Sequence, residues 1–217
     1  AAAPGAGVLF LADGYPDTPT AVAPSAFERA HEKGLRLYVE YPASLPGTEV
    51  GRPQRVDLER AVVASGAFGE SLPRGRILAI HDCHFVPIAA EAPQLVLAKV
   101  AGLDTAVYGL DDVEAHPLLF AQGPRVLVAS TKLSQFVTAR YAPKDAMQTL
   151  WHWVLAWLQP DAELPRLDWT PTVRPTYTRD ANLPADAVRD AVVRGLDWYT
   201  NARMLIHESW QDKYNEF

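Results

Sequence analysis

Short apolar runs, separated by polar connections rich in proline and glycine, dominate the first 160 residues of the chain. Runs of this length that stop at turn-forming residues are typical of buried strands. The pattern predicts strands at 8–12, 35–41, 77–80, 105–108, 117–120 and 125–130, the last two joined by a turn at 122–124. Because helical patterns alternate with these runs, we predict an α/β protein with a layered sheet.

Three segments of this region have helical signals. Residues 25–33 predict a helix that Ser25 can cap and Gly34 can end, which would complete a right-handed strand–helix–strand unit. Residues 91–99 predict a short helix. The strongest signal is at 145–159, where apolar residues recur at helical spacing: Met147, Leu150, Trp151, Val154, Leu155 and Leu158.

Two tryptophans of the helix predicted at 145–159, Trp153 and Trp157, lie away from its apolar stripe. They are four residues apart and therefore share one side of the helix. One interpretation is that they pack under a loop. The other is that they form a docking surface or a sugar-stacking platform, since large exposed aromatic side chains often mark contacts.

The composition changes after Pro160. Residues 161–184 carry several prolines and predict an extended strap, and a helix is expected to begin near Pro184. Its inner face would comprise Val188, Ala191, Val192, Leu196, Tyr199, Ala202 and Ile206, with a second apolar flank at Trp198 and Leu205. We therefore predict a domain at 7–160, the strap at 161–184, and a helical region at 185–217 that packs on the remainder of a larger chain or on a partner subunit.

Charge and composition exclude some classes of function. The net charge is −6, and the 20 Lys and Arg residues are scattered, which disfavours a nucleic-acid groove or an anionic membrane surface. No apolar run approaches the roughly 20 residues of a membrane span. Residues 1–7 lack the charged and apolar regions of a signal peptide. A leader of small residues like this one is expected either as the remainder after a signal peptide has been cleaved off or as a flexible chain end.

The candidate chemistry is concentrated at His81, Asp82, Cys83 and His84, directly after the strand predicted at 77–80. In open α/β sheets, ligands and nucleophiles lie at the carboxyl ends of strands. Cys83 is the only cysteine, and a thiolate beside an imidazole can act as a nucleophile. On an extended segment His81 would share a side with Cys83, whereas Asp82 and His84 would point the other way. The alternative is a buried structural thiol.

Other chemistry is less well indicated. His81, Asp82 and His84 could bind a metal, but three ligands without a distant fourth do not specify a site, and we predict neither metal nor cofactor. Glu40, at the end of the second predicted strand, is a candidate acid or ligand-binding group. It could instead pair with an arginine: Arg52, Arg55 or Arg140. Phosphate-loop, serine-hydrolase and zincin motifs do not occur in the sequence.

Four segments together resemble a known family: residues 34–42, 99–102, 128–134 and 139–143. Residues 7–160 resemble the class I glutamine amidotransferase-like (flavodoxin-like) domain that is attached to certain secreted bacterial glycoside hydrolase-like proteins. The resemblance implies a layered sheet with helices on both faces. It also puts Cys83 in the place of the nucleophile, with His81, Asp82 and His84 where that family has small residues.

Residues 195–206 resemble the opening of an (α/α) helical toroid. Together, the resemblances imply a secreted or periplasmic, non-catalytic accessory module that supports or lines the carbohydrate-processing site of an adjoining helical domain. The residues themselves leave two alternatives. One is a hydrolase or amidotransferase that uses Cys83, His81 and Glu40. The other is a carbohydrate-binding module, with these candidate ligand-binding residues: Trp153, Trp157, Asp82, His84 and Arg140.

Overall fold

The computed structural model describes residues 2–78, 83–134, 143–169 and 186–201. The chain divides into two compact units, residues 1–172 and 173–217. In the first unit the described strands are β1 (Gly7–Phe10), β2 (Arg36–Glu40), β3 (Gln54–Arg55), β4 (Arg60–Val63), β5 (Ile77–Leu78), β6 (His84–Phe85), β7 (Leu95–Ala98), β8 (Ala115–Gln122) and β9 (Val126–Ala129). Its helices are α1 (Pro24–Glu32) and α2 (Lys144–Leu158). The described part of the second unit is helix α3 (Ala187–Asn201).

Seven strands form one mixed sheet in the order β1-β2-β9-β8-β7-β4-β5. β1, β2 and β9 are parallel neighbours, whereas every pairing from β9 through β8, β7 and β4 to β5 is antiparallel. Following these reversals across the sheet, β7 and β5 run in the same direction as the parallel trio. Five strands therefore have their carboxyl ends at one edge, which we call the carboxyl edge. The prediction of an α/β protein with a sheet is confirmed.

Strand β2 separates the two helices of the first unit. Successive side chains of a strand point to opposite faces. Leu37 and Val39 pack in one cluster with Ala30 of α1, whereas Tyr38 packs in another cluster with Trp151 of α2. The helices α1 and α2 therefore cover opposite faces of the sheet at β2.

The ends of α1 follow from backbone chemistry. Pro24 occupies the first turn, where its missing N–H costs no hydrogen bond. Ala23 holds the N-cap position without a side-chain cap, so the prediction that Ser25 caps the helix is wrong; Ser25 lies inside the first turn. Gly34, with φ of 62°, ends the helix as predicted, because glycine adopts the left-handed conformation without steric cost.

Helix α2 confirms the predicted stripe. Its buried residues are Met147, Leu150, Trp151, Val154 and Leu158. They pack on the main core with residues of the central strands, among them Leu97, Leu119 and Leu127. This packing ties α2 to the sheet.

Two secondary-structure predictions are wrong. Residues 91–99 contain strand β7 rather than a helix, because Leu95–Ala98 is buried between β4 and β8, where a continuous apolar run suits a central strand. At 105–108, only Thr105 forms a bridge, to Arg76, and Val107 and Tyr108 are exposed. The predicted hairpin at 117–130 is confirmed as β8 and β9.

Strand β4 was missed in the sequence, although its run of small apolar residues is fully buried. The start of the helix predicted near Pro184 lies outside the described residues, and α3 begins at Ala187. Nowhere in the described ranges does a helix combine the length and apolar character needed to cross a bilayer.

Candidate functional site

Polar side chains from four segments meet at the carboxyl edge of the sheet. They come from the loop after β1, the end of β2, the segment that begins at Cys83, and the turn after β9. We call this group the carboxyl-edge cluster: Tyr15, Glu40, Cys83, His84, Thr131 and Ser134. Because five strands end at this edge, the topology brings together residues that are up to 119 positions apart in the chain (Tyr15 and Ser134).

Glu40 is the most buried polar member, with 0% of its surface exposed. Its Oε1 accepts hydrogen bonds from the Tyr38 hydroxyl at 3.0 Å and from the Ser134 backbone N–H at 2.6 Å. Its Oε2 accepts from the Ser134 hydroxyl at 2.7 Å and from the Ala12 backbone N–H at 3.2 Å. The carboxyl group thereby links the exits of β1 and β9 to the last residue of β2.

Burial raises the pKa of Glu40, and the four hydrogen bonds act in the opposite direction. The described groups that shift this pKa are Ser134, Ala12 and Tyr38, with no arginine among them. The ion-pair interpretation is therefore not supported for Arg52 or Arg55, and Arg140 lies outside the described residues. Glu40 is held by neutral donors.

The residue after Glu40 has an unusual backbone. Tyr41 has φ of 47°, in the left-handed region that non-glycine residues rarely adopt. It is fully buried; its hydroxyl donates to the Pro16 carbonyl at 3.1 Å, and its ring lies edge-on to Tyr15 with the centroids 5.0 Å apart. Strained backbone of this kind is concentrated at functional sites, where the surrounding packing must hold it.

Cys83 and His84 are fixed by backbone hydrogen bonds on two sides. The Cys83 carbonyl accepts from the Val56 N–H at 2.8 Å, and β6 pairs with β3. On the other side, the Val86 N–H donates to the Ser130 carbonyl at 2.9 Å. The segment therefore bridges β3 and the residues that follow β9.

Tyr15 and Thr131 converge on the backbone of His84. The Thr131 hydroxyl donates to the His84 carbonyl at 2.6 Å, and the His84 N–H donates to the Tyr15 hydroxyl oxygen at 2.5 Å. Burial, reinforced by the neighbouring Cys83 thiol, raises the pKa of Tyr15, so its phenol is neutral at physiological pH. Cys83 is itself buried in the main core, which agrees with the structural-thiol interpretation.

The side chain of His84 has one nitrogen, Nδ1, to which no surrounding group that the structure describes forms a hydrogen bond. Its Nδ1 is buried and has no hydrogen-bond partner among the described residues. His81 and Asp82, its neighbours in the sequence hypothesis, lie outside the described residues. The described ranges contain no group of three or more His, Cys, Asp or Glu side chains that could hold a metal ion.

Lys132 brings a positive charge to the same edge. Its Nζ donates to the Ala12 carbonyl at 2.8 Å, and the N–H of that same residue binds Glu40. The turn after β9 is further anchored at Leu133, whose carbonyl accepts from the Trp151 indole at 3.0 Å. The carboxyl-edge cluster therefore comprises two hydrogen-bonded groups, one around Glu40 and one around the His84 backbone, which are joined by the chain at 131–134 and are continuous with the packing of α2.

Trp153 and Trp157 are partly buried and pack against the main core. Trp153 contacts Phe68 edge-on, with the ring centroids 5.2 Å apart. Arg36 lies over the Trp157 ring at 5.3 Å, and its guanidinium donates to the Trp157 carbonyl at 2.7 Å. These contacts agree with the packing interpretation of the two tryptophans, and their proposed role in carbohydrate binding stays a prediction.

Sequence reasoning selected Glu40, Cys83 and His84 but missed their partners. Tyr38 could have been found from the strand period of two, which puts it on the same face as Glu40. Thr131 and Ser134 follow the last buried strand. Cys83 was selected because it follows a buried strand, and the same criterion would have selected these two residues. Tyr15 had no such signal, because its contacts depend on the path of the loop after β1.

The fold and this cluster together define a class: an α/β protein with a mixed seven-stranded sheet and a buried, carboxylate-centred network at its carboxyl edge. Comparisons with protein-family models, with curated proteins and with solved structures gave no match.

The raised pKa of Glu40 predicts how stability depends on pH. A carboxyl whose pKa is raised by folding holds its proton more tightly in the folded chain. Its contribution to stability is therefore complete below the unfolded pKa and is lost as the pH rises through the folded pKa. Each pKa unit by which the folded value exceeds the unfolded value corresponds to about 1.4 kcal/mol in the free energy of unfolding. As the pH rises above the ordinary carboxyl pKa of 4.5, we expect the free energy of unfolding of the wild type to decrease relative to that of Glu40→Gln.

Urea unfolding at several pH values measures this difference. The exposed Glu49 provides the control, since Glu49→Gln should leave the pH profile parallel to that of the wild type. A difference between wild type and Glu40→Gln that stays constant or grows with pH would contradict the assigned direction.

Proposed function

We propose that this chain is a non-catalytic accessory module of a secreted or periplasmic glycoside hydrolase-like protein. It supports or lines the carbohydrate-processing site of an adjoining helical domain. Within this proposal, the sheet belongs to the flavodoxin-like layering of class I amidotransferase-like domains, and residues 185–217 begin the helical domain. The observation that carries the proposal is that the polar groups at the carboxyl edge bond to other groups of the protein, the Nδ1 of His84 being the exception among the described groups of the cluster.

At a catalytic edge, some polar groups must be directed at substrate. Here the Glu40 oxygens accept four hydrogen bonds from the protein itself. Thr131 and Tyr15 bond the backbone of His84, and Cys83 is buried. Such an arrangement stabilises the edge as a rigid scaffold.

Helix α3 supports the second part of the proposal. Val188 and Val192, one turn apart on the same side, are 80% and 56% exposed, and the adjacent Val193 is 53% exposed. A row of exposed valines on a helix is typical of a surface that another element covers. We propose that the remainder of a longer chain, or a partner subunit, packs on this row.

A second candidate function is a hydrolase or amidotransferase dependent on Cys83. The observation in its favour is position: the thiol lies at the carboxyl edge, next to the Tyr15 phenol and to His84. In this alternative a base such as His81 would take the thiol proton, and the thiolate would attack the carbonyl carbon of an amide. The C–N bond would break as the base returns the proton to the leaving amine, and water would then hydrolyse the thioester. The reactivity of the thiol separates the two candidates.

The decisive experiment compares this chain with the native gene product purified from its source. We expect the native protein to have a mass above 23.8 kDa, or to form a stable complex, and to hydrolyse a glycan that the 217-residue chain leaves intact. A native 23.8 kDa monomer without activity on a broad glycan panel would overturn the accessory proposal.

Alkylation with iodoacetamide near neutral pH tests the second candidate. For a scaffold, Cys83 should react far more slowly than a free cysteine, with rates restored by urea, because the thiol is buried. Rapid, saturable modification of the folded protein would favour the enzyme. Cys83→Ser serves as the unreactive control.

A further inference from the structure

A cleft lies on the α1 side of the sheet, at the opposite end of β2 and β9 from the carboxyl-edge cluster. Its volume is about 350 Å³, near the lower end of the range for small-molecule sites. The lining comprises Phe27, Ala30, His31, Leu35, Leu37, Pro46, Gln122, Gly123, Arg125 and Val126. All of these residues belong to parts of the chain that the structure describes.

The cleft lies beside α1, whose nine residues span about 14 Å and contribute Phe27, Ala30 and His31 to the lining. Leu35 and Leu37 form a buried apolar floor, and Phe27 and Val126 are half-buried on its sides. The exposed parts of Phe27 and Val126 give the cleft an apolar surface, which favours an apolar occupant.

The walls are held in place by their own hydrogen bonds. The Gln122 side-chain amide donates to the Pro46 carbonyl at 2.8 Å and to the Thr48 hydroxyl at 2.7 Å, which joins the hairpin to the opposite loop. Arg125 donates to the Gly34 carbonyl through one nitrogen. The guanidinium is thereby anchored at the rim, and its other N–H groups can serve a ligand, since arginine has five donors.

The charge of the rim differs from that of the whole protein. His31 and Arg125 are at the rim, and among the described residues lining the cleft none is Asp or Glu. The chain as a whole has a net charge of −6. A planar guanidinium beside an apolar floor is complementary to a carboxylate on an apolar body.

We propose that this cleft binds a small apolar molecule that carries one carboxylate, such as an arylalkanoic acid. The apolar body lies on Phe27 and Val126, and the carboxylate accepts hydrogen bonds from Arg125. This inference is independent of the accessory function, because it uses neither the carboxyl-edge cluster nor α3.

The test is an ¹⁵N-edited NMR titration of the full 217-residue chain with 4-phenylbutyrate and, separately, with the neutral 4-phenylbutan-1-ol. We expect both ligands to shift amide signals of residues 27–37 and 122–126, with the carboxylate binding about fivefold more tightly. Arg125→Gln should remove this preference and leave the affinity for the alcohol unchanged. Arg74→Gln is the matched control, because exposed Arg74 is outside the cleft.

A blocking variant keeps the test independent of charge. Pro46→Trp puts a large ring at the mouth of the cleft while the carbonyl that Gln122 binds is retained, so both ligands should lose measurable binding. Equal affinity for the two ligands would overturn the proposal, as would shifts outside the cleft or the absence of saturable binding. Shifts at the cleft that depend on protein concentration without ligand would assign it to self-association and overturn the proposal as well.

Discussion

Replacing Glu40 with alanine is expected to lower the free energy of unfolding by about 3–5 kcal/mol. Glu40 accepts hydrogen bonds from the backbone N–H groups of Ala12 and Ser134, which are fixed by the chain and cannot turn toward another acceptor. Both N–H groups would then lose their partner, which costs about 1–3 kcal/mol for the buried N–H of Ala12 and less for the half-buried N–H of Ser134. The lost packing of a fully buried side chain adds to this cost.

Urea unfolding followed by circular dichroism at pH 7 measures the effect. Ser134→Ala is the milder companion variant, because it removes one hydroxyl donor but retains the backbone N–H on Glu40, and about 1 kcal/mol is expected. Glu49→Ala, at an exposed position, should change stability by less than about 0.5 kcal/mol. A loss below 1 kcal/mol for Glu40→Ala would show that Glu40 does not hold the carboxyl edge together.

Replacing Trp151 with alanine is expected to cost about 3–5 kcal/mol, the range for removing a buried aromatic side chain. Trp151 is 6% exposed, and its ring lies 5.3 Å from that of Tyr38. Its indole also donates to the Leu133 carbonyl, so the substitution releases the turn that supplies Ser134 to Glu40. We therefore expect the Ser134 amide to lose protection from hydrogen exchange before the rest of the sheet does.

Trp157→Ala is the matched control on the same helix. Trp157 is only partly buried and contacts the Arg36 guanidinium, so a loss of about 1–2 kcal/mol is expected, with protection at Ser134 retained. Trp151→Phe should retain most of the packing and isolate the loss of the indole hydrogen bond. Equal losses for Trp151→Ala and Trp157→Ala would contradict the central position assigned to Trp151.

These two variants test one physical connection. Tyr38 contacts both residues: its ring packs against Trp151, and its hydroxyl donates to Glu40. The core beneath α2 and the polar network at the carboxyl edge are therefore parts of one structure. A substitution in the core beneath α2 should therefore also disturb the polar network at the carboxyl edge, and the reverse, through Tyr38 and the turn after β9.

The candidate site was predictable in part. Cys83 was predicted at the carboxyl edge because it follows an apolar run. The described segment that begins at Cys83 lies at that edge, where the Val86 N–H donates to the carbonyl of Ser130, directly after β9. For Glu40, the expected alternative partner was arginine, whereas the observed partners are Tyr38, Ser134 and the Ala12 backbone. A buried carboxyl can be satisfied by either kind of donor, and only the path of the chain decides between them.

The sequence by itself determined the elements whose signals are local. The apolar stripe of α2, the stop of α1 at Gly34 and the hairpin of β8 and β9 each depend on residues within a few positions of one another. The α/β class followed from the alternation of these elements. The accessory function, the localisation and the role of the chain in carbohydrate processing stay predictions.

Only the tertiary structure decided the identity of β7 and the composition of the carboxyl-edge cluster. Residues 91–99 have a composition compatible with a helix, yet Leu95–Ala98 forms a strand because β4 and β8 complete its hydrogen bonds. Its two faces pack in separate apolar clusters. The same long-range pairing sets the order of the strands and brings Tyr15, Glu40 and Ser134 to one edge. Such contacts depend on which distant segments become neighbours, and the local pattern of apolar and polar residues carries no record of that choice.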